Sequence, residues 1–285
     1  MIVWRDGELV SAEAAVSAED RGYLVGDAVF ETMLAEGGQA AFLGPHLARL
    51  ALGCATLRME FAPDEARIRQ AILELAEYAP LTTRAACRIT VSRLGGPRGV
   101  APGEGARVRM IIALTAAAPR SSLLSLIVST HRRSAAAATN GFKCAGAYAQ
   151  NALARMEAIE AGADEAIMLN EYGRVACASS ANVFVLTDRG IATPPLREGA
   201  MPGVVRAIVL EEAHRLGLAA EEVEIEPTAL ASARLLLTNS VIGVVVGAVG
   251  DNKTRDRDAV AQAIINAYER RLAAALPPHP QGAPS

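Results

Sequence analysis

The chain has almost no lysine. Only Lys143 and Lys253 interrupt a basic complement of 28 residues that is otherwise arginine. No run of Lys or Arg is sustained and the formal net charge is −3, so the electrostatic footprint of a nucleic-acid binder is missing. Small molecules are the better partners. Cysteine is scarce as well: Cys54, Cys87, Cys144 and Cys177 stand apart with no CxxC and no Cys/His cluster. That spacing excludes a disulfide framework and a zinc site, and no bound metal is expected. The N-terminus MIVWRDGELV lacks a basic segment followed by an apolar one, so no secretory signal is read and the cytoplasm is the expected compartment. The longest apolar stretch, residues 235–250, is broken by Thr238, Asn239 and Ser240, too short for a membrane span. Aromatics are only 4% of the residues, which leaves a substrate pocket few landmarks.

What is present is globular: 285 residues, 51% hydrophobic and 21% charged, enough chain for about two domains. Residues 1–117 alternate strand-like and helix-like pieces and read as a self-contained α/β unit. Strands are expected at 1–4, 28–34, 85–91 and 108–114, and helices at 46–59 and 63–78. Residues 118–122 read as a linker and 123–275 as a second domain. There a helix is expected at 147–161, with Leu153, Met156 and Ile159 recurring on one side and Gly162 ending it. Further helices are expected at 203–216 and 256–275. Short strands are expected at 123–129, 165–169, 174–177, 182–186, 190–192, 221–225, 234–237 and 241–249. So many short strands point to a curved, barrel-like sheet. Residues 276–285 are a Pro-rich tail.

A lysine kept against so strong an arginine bias raises the question of what arginine cannot do. It cannot lose its proton near neutral pH, whereas a lysine in apolar surroundings becomes a neutral amine, able to form a Schiff base or act as a base. Lys143 lies among small apolar residues in NGFKCAGAY, while Lys253 lies in the polar stretch GDNKTRDRD. Lys143 is either such an amine or a half-buried residue at a strand end. Pro202 and Gly203 open a predicted helix, which makes an ordinary turn or an anion-binding start with unpaired N–H groups. Thr238 to Ser240 place donors in one bend, or form a turn and nothing more.

Taken in order, EDRGYLVGDAVFET (19–32), HLARL (46–50), RITVSRLGGPRGV (88–100), the Lys143 segment, GADEAIMLNEYGRV (162–175), ASSANVFVL (178–186), TPPLREGAMPGVVR (193–206) and LLLTNSVIGVV (235–245) resemble the class IV aminotransferases, the pyridoxal-phosphate enzymes of fold type IV. The resemblance spans about residues 1–270. It implies an α/β (α+β) fold, with a small N-terminal α/β domain, a larger C-terminal pseudo-barrel domain and pyridoxal 5'-phosphate between them. It also implies a homodimer acting on a small-molecule amino substrate. Lys143 then matches the Schiff-base lysine, with Tyr148 completing a Lys-x-x-Gly-x-Tyr spacing. Arg49 matches the arginine on the cofactor phosphate, and Gly203, Val204, Thr238 and Ser240 match the remaining phosphate contacts. Phe30 and Arg98 fall where family members meet substrate.

One departure stands out. The family's GxVxExxxxN reads GRVACASSAN here, with Cys177 where a glutamate holds a proton on the cofactor's ring nitrogen. A neutral thiol of reference pKa about 8.5 is a poor partner for a pyridinium compared with a carboxylate of about 4.3. The ring is then a weaker electron sink, which favours elimination over a full transamination cycle. Glu165 or Glu171 reaching the ring by another route is the alternative. Phe30, where D-amino acid aminotransferases carry tyrosine, and TNSVIGV lean the same way, toward 4-amino-4-deoxychorismate lyase, which releases pyruvate and 4-aminobenzoate. A D-amino acid or branched-chain aminotransferase is the second reading, and a non-catalytic ligand-binding protein with a degenerate site the third.

Overall fold

The computed structural model describes residues 1–78, 84–96, 99–119, 121–250 and 258–276. The chain divides into two compact units, and the short segment Lys143–Gly146 groups with the first.

In the first unit, β1 (Ile2–Arg5) and β2 (Glu8–Ser11) form a hairpin. Its two-residue turn is Asp6-Gly7, both with positive φ (55° and 121°), the backbone twist such turns need and the reason glycine follows aspartate. A short helix α1 (Arg21–Val25), capped by the Asp20 carboxylate on the Gly22 and Tyr23 amides, leads into β3 (Ala28–Glu36) and β4 (Gln39–Ala40). Then come α2 (Leu43–Thr56), α3 (Glu65–Tyr78), β5 (Ala85–Leu94) and β6 (Arg107–Ala116). The strands make one antiparallel sheet in the order β2-β1-β6-β5-β3-β4. On β5, buried Ala85, Cys87, Ile89 and Val91 alternate with the more open Ala86, Arg88 and Thr90. Such alternation marks one covered and one open face. Helix α2 packs on β3, and α3 on β1, β4 and β6.

The second unit begins with β7 (Leu123–Arg133), α4 (Ala149–Glu160), β8 (Glu165–Asn170), β9 (Val175–Ala178), β10 (Asn182–Thr187) and β11 (Gly190–Thr193). It continues with α5 (Val204–Arg215), β12 (Ala219–Glu222), β13 (Leu235–Asn239), β14 (Gly243–Val249) and α6 (Ala259–Ala275), whose residues from Arg270 on group with the first unit. The sheet order is β12-β11-β10-β13-β14-β7-β8-β9. β9 is the last strand, yet only three residues join it to β10 near the other end, with the Ala178 amide on the Ala181 carbonyl at 2.8 Å. So short a link forces the sheet to curl on itself, giving the expected pseudo-barrel. Leu126, Ile167, Val175, Val183, Leu235 and Leu237 form its core.

The structure adds to this reading in two places and corrects it in one. Leu153, Met156 and Ile159 are exposed (41%, 54% and 61%), and the buried face of α4 is instead Asn151, Ala154 and Ala158. Small residues let the helix lie close on β7 and β8, so the larger apolar stripe points away. The strand expected at 221–225 is β12, shifted to Ala219–Glu222, because its parallel register on β11 starts at Gly190 opposite Ala219. Ile225 is buried outside any strand. Finally β2, β4 and α1 were not anticipated, being too short to show a period.

Candidate functional site

Lys143 is placed by backbone, not by its side chain. Its carbonyl accepts the Phe30 amide at 2.9 Å, and Cys144 forms an isolated bridge with Val29, so the segment lies against the start of β3. Two glycines permit the approach. The Gly146 amide donates to the Gly26 carbonyl, and a Cβ on Gly26, whose φ is +71°, would meet the Gly146 Cα at 2.5 Å. Half-buried Lys143 has its pKa lowered to about 8. Burial strips water from the ammonium; nearby Glu31 opposes this, and Arg49 and Arg88 add to it.

Behind β3 sits a charged cluster that sequence reasoning saw only in part. Glu31 alternates with Val29 and Met33 toward α2, where His46 and Arg49, three apart, face it. Arg49 donates from Nε to one Glu31 oxygen and from Nη2 to the other, both at 2.7 Å, and His46 Nδ1 lies 2.6 Å from the latter. Burial pushes the Glu31 pKa up, but the hydrogen bonds and charges of Arg49 and His46 take it down to about 2. Burial also lowers the His46 pKa, with Glu31 opposing, so His46 is neutral and donates its Nδ1 proton to the carboxylate. Arg49 is therefore no surface arginine.

Replacing Glu31 with glutamine should cost about 3–5 kcal/mol in chemical denaturation, because it leaves the Arg49 guanidinium buried without its counter-charge. The pH dependence has a definite sign. The contribution of Glu31 is fully present above its ordinary value of 4.5 and is lost as pH falls toward about 2, so the stability gap between wild type and variant should close over that window.

Phe30 is buried, with the Arg88 guanidinium carbon 3.7 Å and Lys143 Nζ 5.5 Å from its ring centre. Arg98 and Lys253 lie outside the described residues.

In the second unit, helix α5 starts at Gly203 with no side-chain cap on its first-turn amides. Val204 is its first residue and is buried. Thr238 pairs with Asn182 across β13 and β10, and the Asn182 amide reaches the Met201 carbonyl at 2.9 Å, two residues before Gly203. Among the described residues, Thr238 Oγ1 is buried and has no hydrogen-bond partner. An orphaned hydroxyl beside an uncapped helix start is a donor set for an anion. Ser240 follows β13 and is half-buried. A Cβ on Gly203 would meet Asn182 Oδ1 at 2.1 Å, so Gly203→Ala must displace Asn182 and with it the start of α5. We expect that variant to weaken pyridoxal-phosphate affinity about tenfold or more, read by absorbance titration, with a smaller loss in melting temperature.

A profile of the amino-transferase class IV family matches residues 28–247. The chain belongs to that family. It is thus a class IV pyridoxal-phosphate enzyme. A putative branched-chain-amino-acid aminotransferase of Methanocaldococcus jannaschii is 27% identical over 234 residues, covering 81% of this chain and 80% of that protein. Aminodeoxychorismate lyase of Bacillus subtilis is 27% identical over 237 residues, covering 82% and 80%. The crystal structure of a branched-chain aminotransferase from Thermoproteus uzoniensis with norvaline superposes with a TM-score of 0.85 at 24% identity, over 96% of this chain and 95% of that one. That likeness gives the fold.

The donors present suit this family's cofactor: an amine of lowered pKa, and an anion cradle with an orphaned hydroxyl. Cys177 departs from it. The thiol is buried among Ala154, Ala158 and Met168, and burial raises its pKa, with Arg133 opposing and Glu165 adding to the rise. It is neutral at pH 7. The carboxylates that could replace it are engaged elsewhere: Glu165 accepts from the Ser179 and Ser180 hydroxyls and the Ala166 amide. Glu171, exposed, accepts from the Ala135 amide at 2.7 Å and from Ser134.

Proposed function

We propose that the chain is an aminodeoxychorismate lyase, converting 4-amino-4-deoxychorismate to pyruvate and 4-aminobenzoate. The carrying observation is Cys177, a buried neutral thiol at the position where the family pattern has glutamate, with Glu165 and Glu171 both hydrogen-bonded away. Pyridoxal phosphate, when bound, supplies an aldehyde that captures the substrate amine and a conjugated ring that takes up the electrons of a broken C–H bond. Lys143 would hold that aldehyde between turnovers. Once displaced, its neutral Nζ takes the proton from the amine-bearing carbon. The first-turn amides of α5, Thr238 and Ser240 would hold the phosphate. Cys177 offers no counter-charge to a ring cation. With no anion at this position, elimination of the enolpyruvyl group, driven by aromatisation, would be favoured over transamination, and the proton taken by Lys143 would pass to the departing enolpyruvate to give pyruvate.

The reading carries the family's homodimer and a cytoplasmic location with it. An aminotransferase is the second reading, favoured by the likeness to the Methanocaldococcus protein. The test is direct: purified protein with pyridoxal phosphate should release pyruvate and 4-aminobenzoate from 4-amino-4-deoxychorismate without a keto-acid acceptor. Turnover only of D-alanine or a branched-chain amino acid with 2-oxoglutarate would replace the first reading by the second.

A further inference from the structure

Between the end of β11 and the start of α5 the chain crosses residues 194–203, mostly buried and outside any strand, with one short turn at Leu196–Glu198. Buried carbonyls without a sheet partner need donors, and side chains supply them here. Arg206 of α5 donates to the Pro194 carbonyl at 3.1 Å, Asn170 of β8 to that of Glu198 at 3.2 Å, Arg133 of β7 to that of Gly199 at 2.5 Å, and Asn182 of β10 to that of Met201 at 2.9 Å. Glu198 adds a second hold through its side chain. It is 2% exposed, and its carboxylate accepts from Asn170 Nδ2 at 2.6 Å and from Arg174 Nε and Nη2 at 2.8 and 3.0 Å, one arginine nitrogen on each oxygen. Asn170 Oδ1 in turn accepts the Tyr172 and Arg174 amides, so the turn between β8 and β9 is built around the residue that grips Glu198.

The other side of the crossing is closed by backbone. Gly199 has φ +91°, and a Cβ on it would meet the Ala135 Cα at 3.2 Å and the Ser134 carbonyl oxygen at 3.3 Å. Ser134 and Ala135 are themselves held by Glu171 of the β8–β9 turn. The clamp leaves little slack in the three residues that separate Gly199 from Gly203, where α5 begins. A buried, fully hydrogen-bonded ion pair adds little net stability but admits one geometry, which is what an anion cradle of backbone amides requires, since such bonds weaken steeply when misaimed.

We propose that Glu198 is a positioning residue for the cofactor phosphate: clamped by Asn170 and Arg174, it sets the start of α5 so that the first-turn amides stand where the phosphate is held. The proposal rests on the reading of that helix start as the phosphate cradle, and deepens it by naming what keeps the cradle in register.

The test titrates full-length protein freed of cofactor with pyridoxal phosphate and with pyridoxal, which has the same ring and aldehyde but no phosphate, following Schiff-base absorbance. Wild type should bind pyridoxal phosphate at least about 100-fold more tightly. Glu198→Gln should lose about 10-fold or more of the affinity for pyridoxal phosphate and stay within about 2-fold for pyridoxal, so that the ratio falls. Arg174→Lys keeps the charge without the fork and should lose a smaller part of the ratio, and it carries the same test if Glu198→Gln does not fold. Glu224→Gln removes an exposed carboxylate 3.7 Å from the same arginine and should leave the ratio at the wild-type value. Equal losses for the two ligands in the Glu198 and Arg174 variants would mean a structural role only and overturn the proposal, as would an unchanged ratio. A wild type that does not prefer pyridoxal phosphate removes the cradle reading beneath it, whereas a wild-type preference kept in both variants sinks the Glu198 inference alone.

Discussion

Lys143→Ala forms no pyridoxyl adduct on borohydride reduction and loses turnover by at least about 10³-fold, the scale of removing a nucleophile that also moves the proton. The arithmetic of the sequence makes this a clean experiment. With only two lysines in the chain, a single modified peptide in wild type containing Lys143 identifies the site, and Lys253 is the internal control. Lys143→Arg should fail as completely as alanine, since guanidinium keeps its proton and cannot condense with an aldehyde. The pH dependence follows from desolvation: the amine is neutral above about 8 rather than above its ordinary 10.5, so capture of pyridoxal phosphate by apoprotein should rise with pH and level off little above 8. A half-point near 10.5 would mean that the amine is solvated, and a retained adduct in Lys143→Ala would move the chemistry to another residue.

Much of this was legible in the sequence because it depends on residues close together in the chain. Lys143 stood out against an arginine-rich background, Cys177 against a local pattern, and Gly203 at a helix start needs only its neighbours to be understood. Glu31 with His46 and Arg49 was harder. Arg49 drew notice alone, and its carboxylate partner becomes visible only when α2 is laid on β3 and the strand's alternation points Glu31 at the helix. One signal was available: a glutamate at an inward position of an apolar strand needs a buried cation. Arg88 and Phe30 meet through strand register, which no local pattern contains. Which face of α4 is covered was not legible for another reason, because helical periodicity says which residues share a face and not whether that face is covered; Ala154 and Ala158 take it by size. The pseudo-barrel was foreseeable from many short strands, while the curl itself comes from the three-residue link between β9 and β10.

Cys177→Glu should raise transamination relative to elimination by about tenfold or more, equivalent to roughly 1.4 kcal/mol between the two barriers. A glutamate there restores an anion that can share a proton with the ring, making a stronger electron sink and lengthening the life of the state that transamination needs. In apoprotein the same change is unfavourable. The new carboxyl is larger than the thiol and enters a cluster of Ala154, Ala158 and Met168, where burial disfavours its charge and Arg133 opposes that in part. Apoprotein should therefore melt several degrees lower than wild type, and pyridoxal phosphate should raise the variant's melting temperature by more than it raises that of wild type, because only the variant gains a partner for the buried group. Cys177→Gln separates size from charge: it should share the loss of apoprotein stability while leaving the ratio of the two activities where wild type has it. If glutamate and glutamine leave the ratio equally unchanged, the thiol is a packing residue and the preference for elimination has to come from how substrate is held.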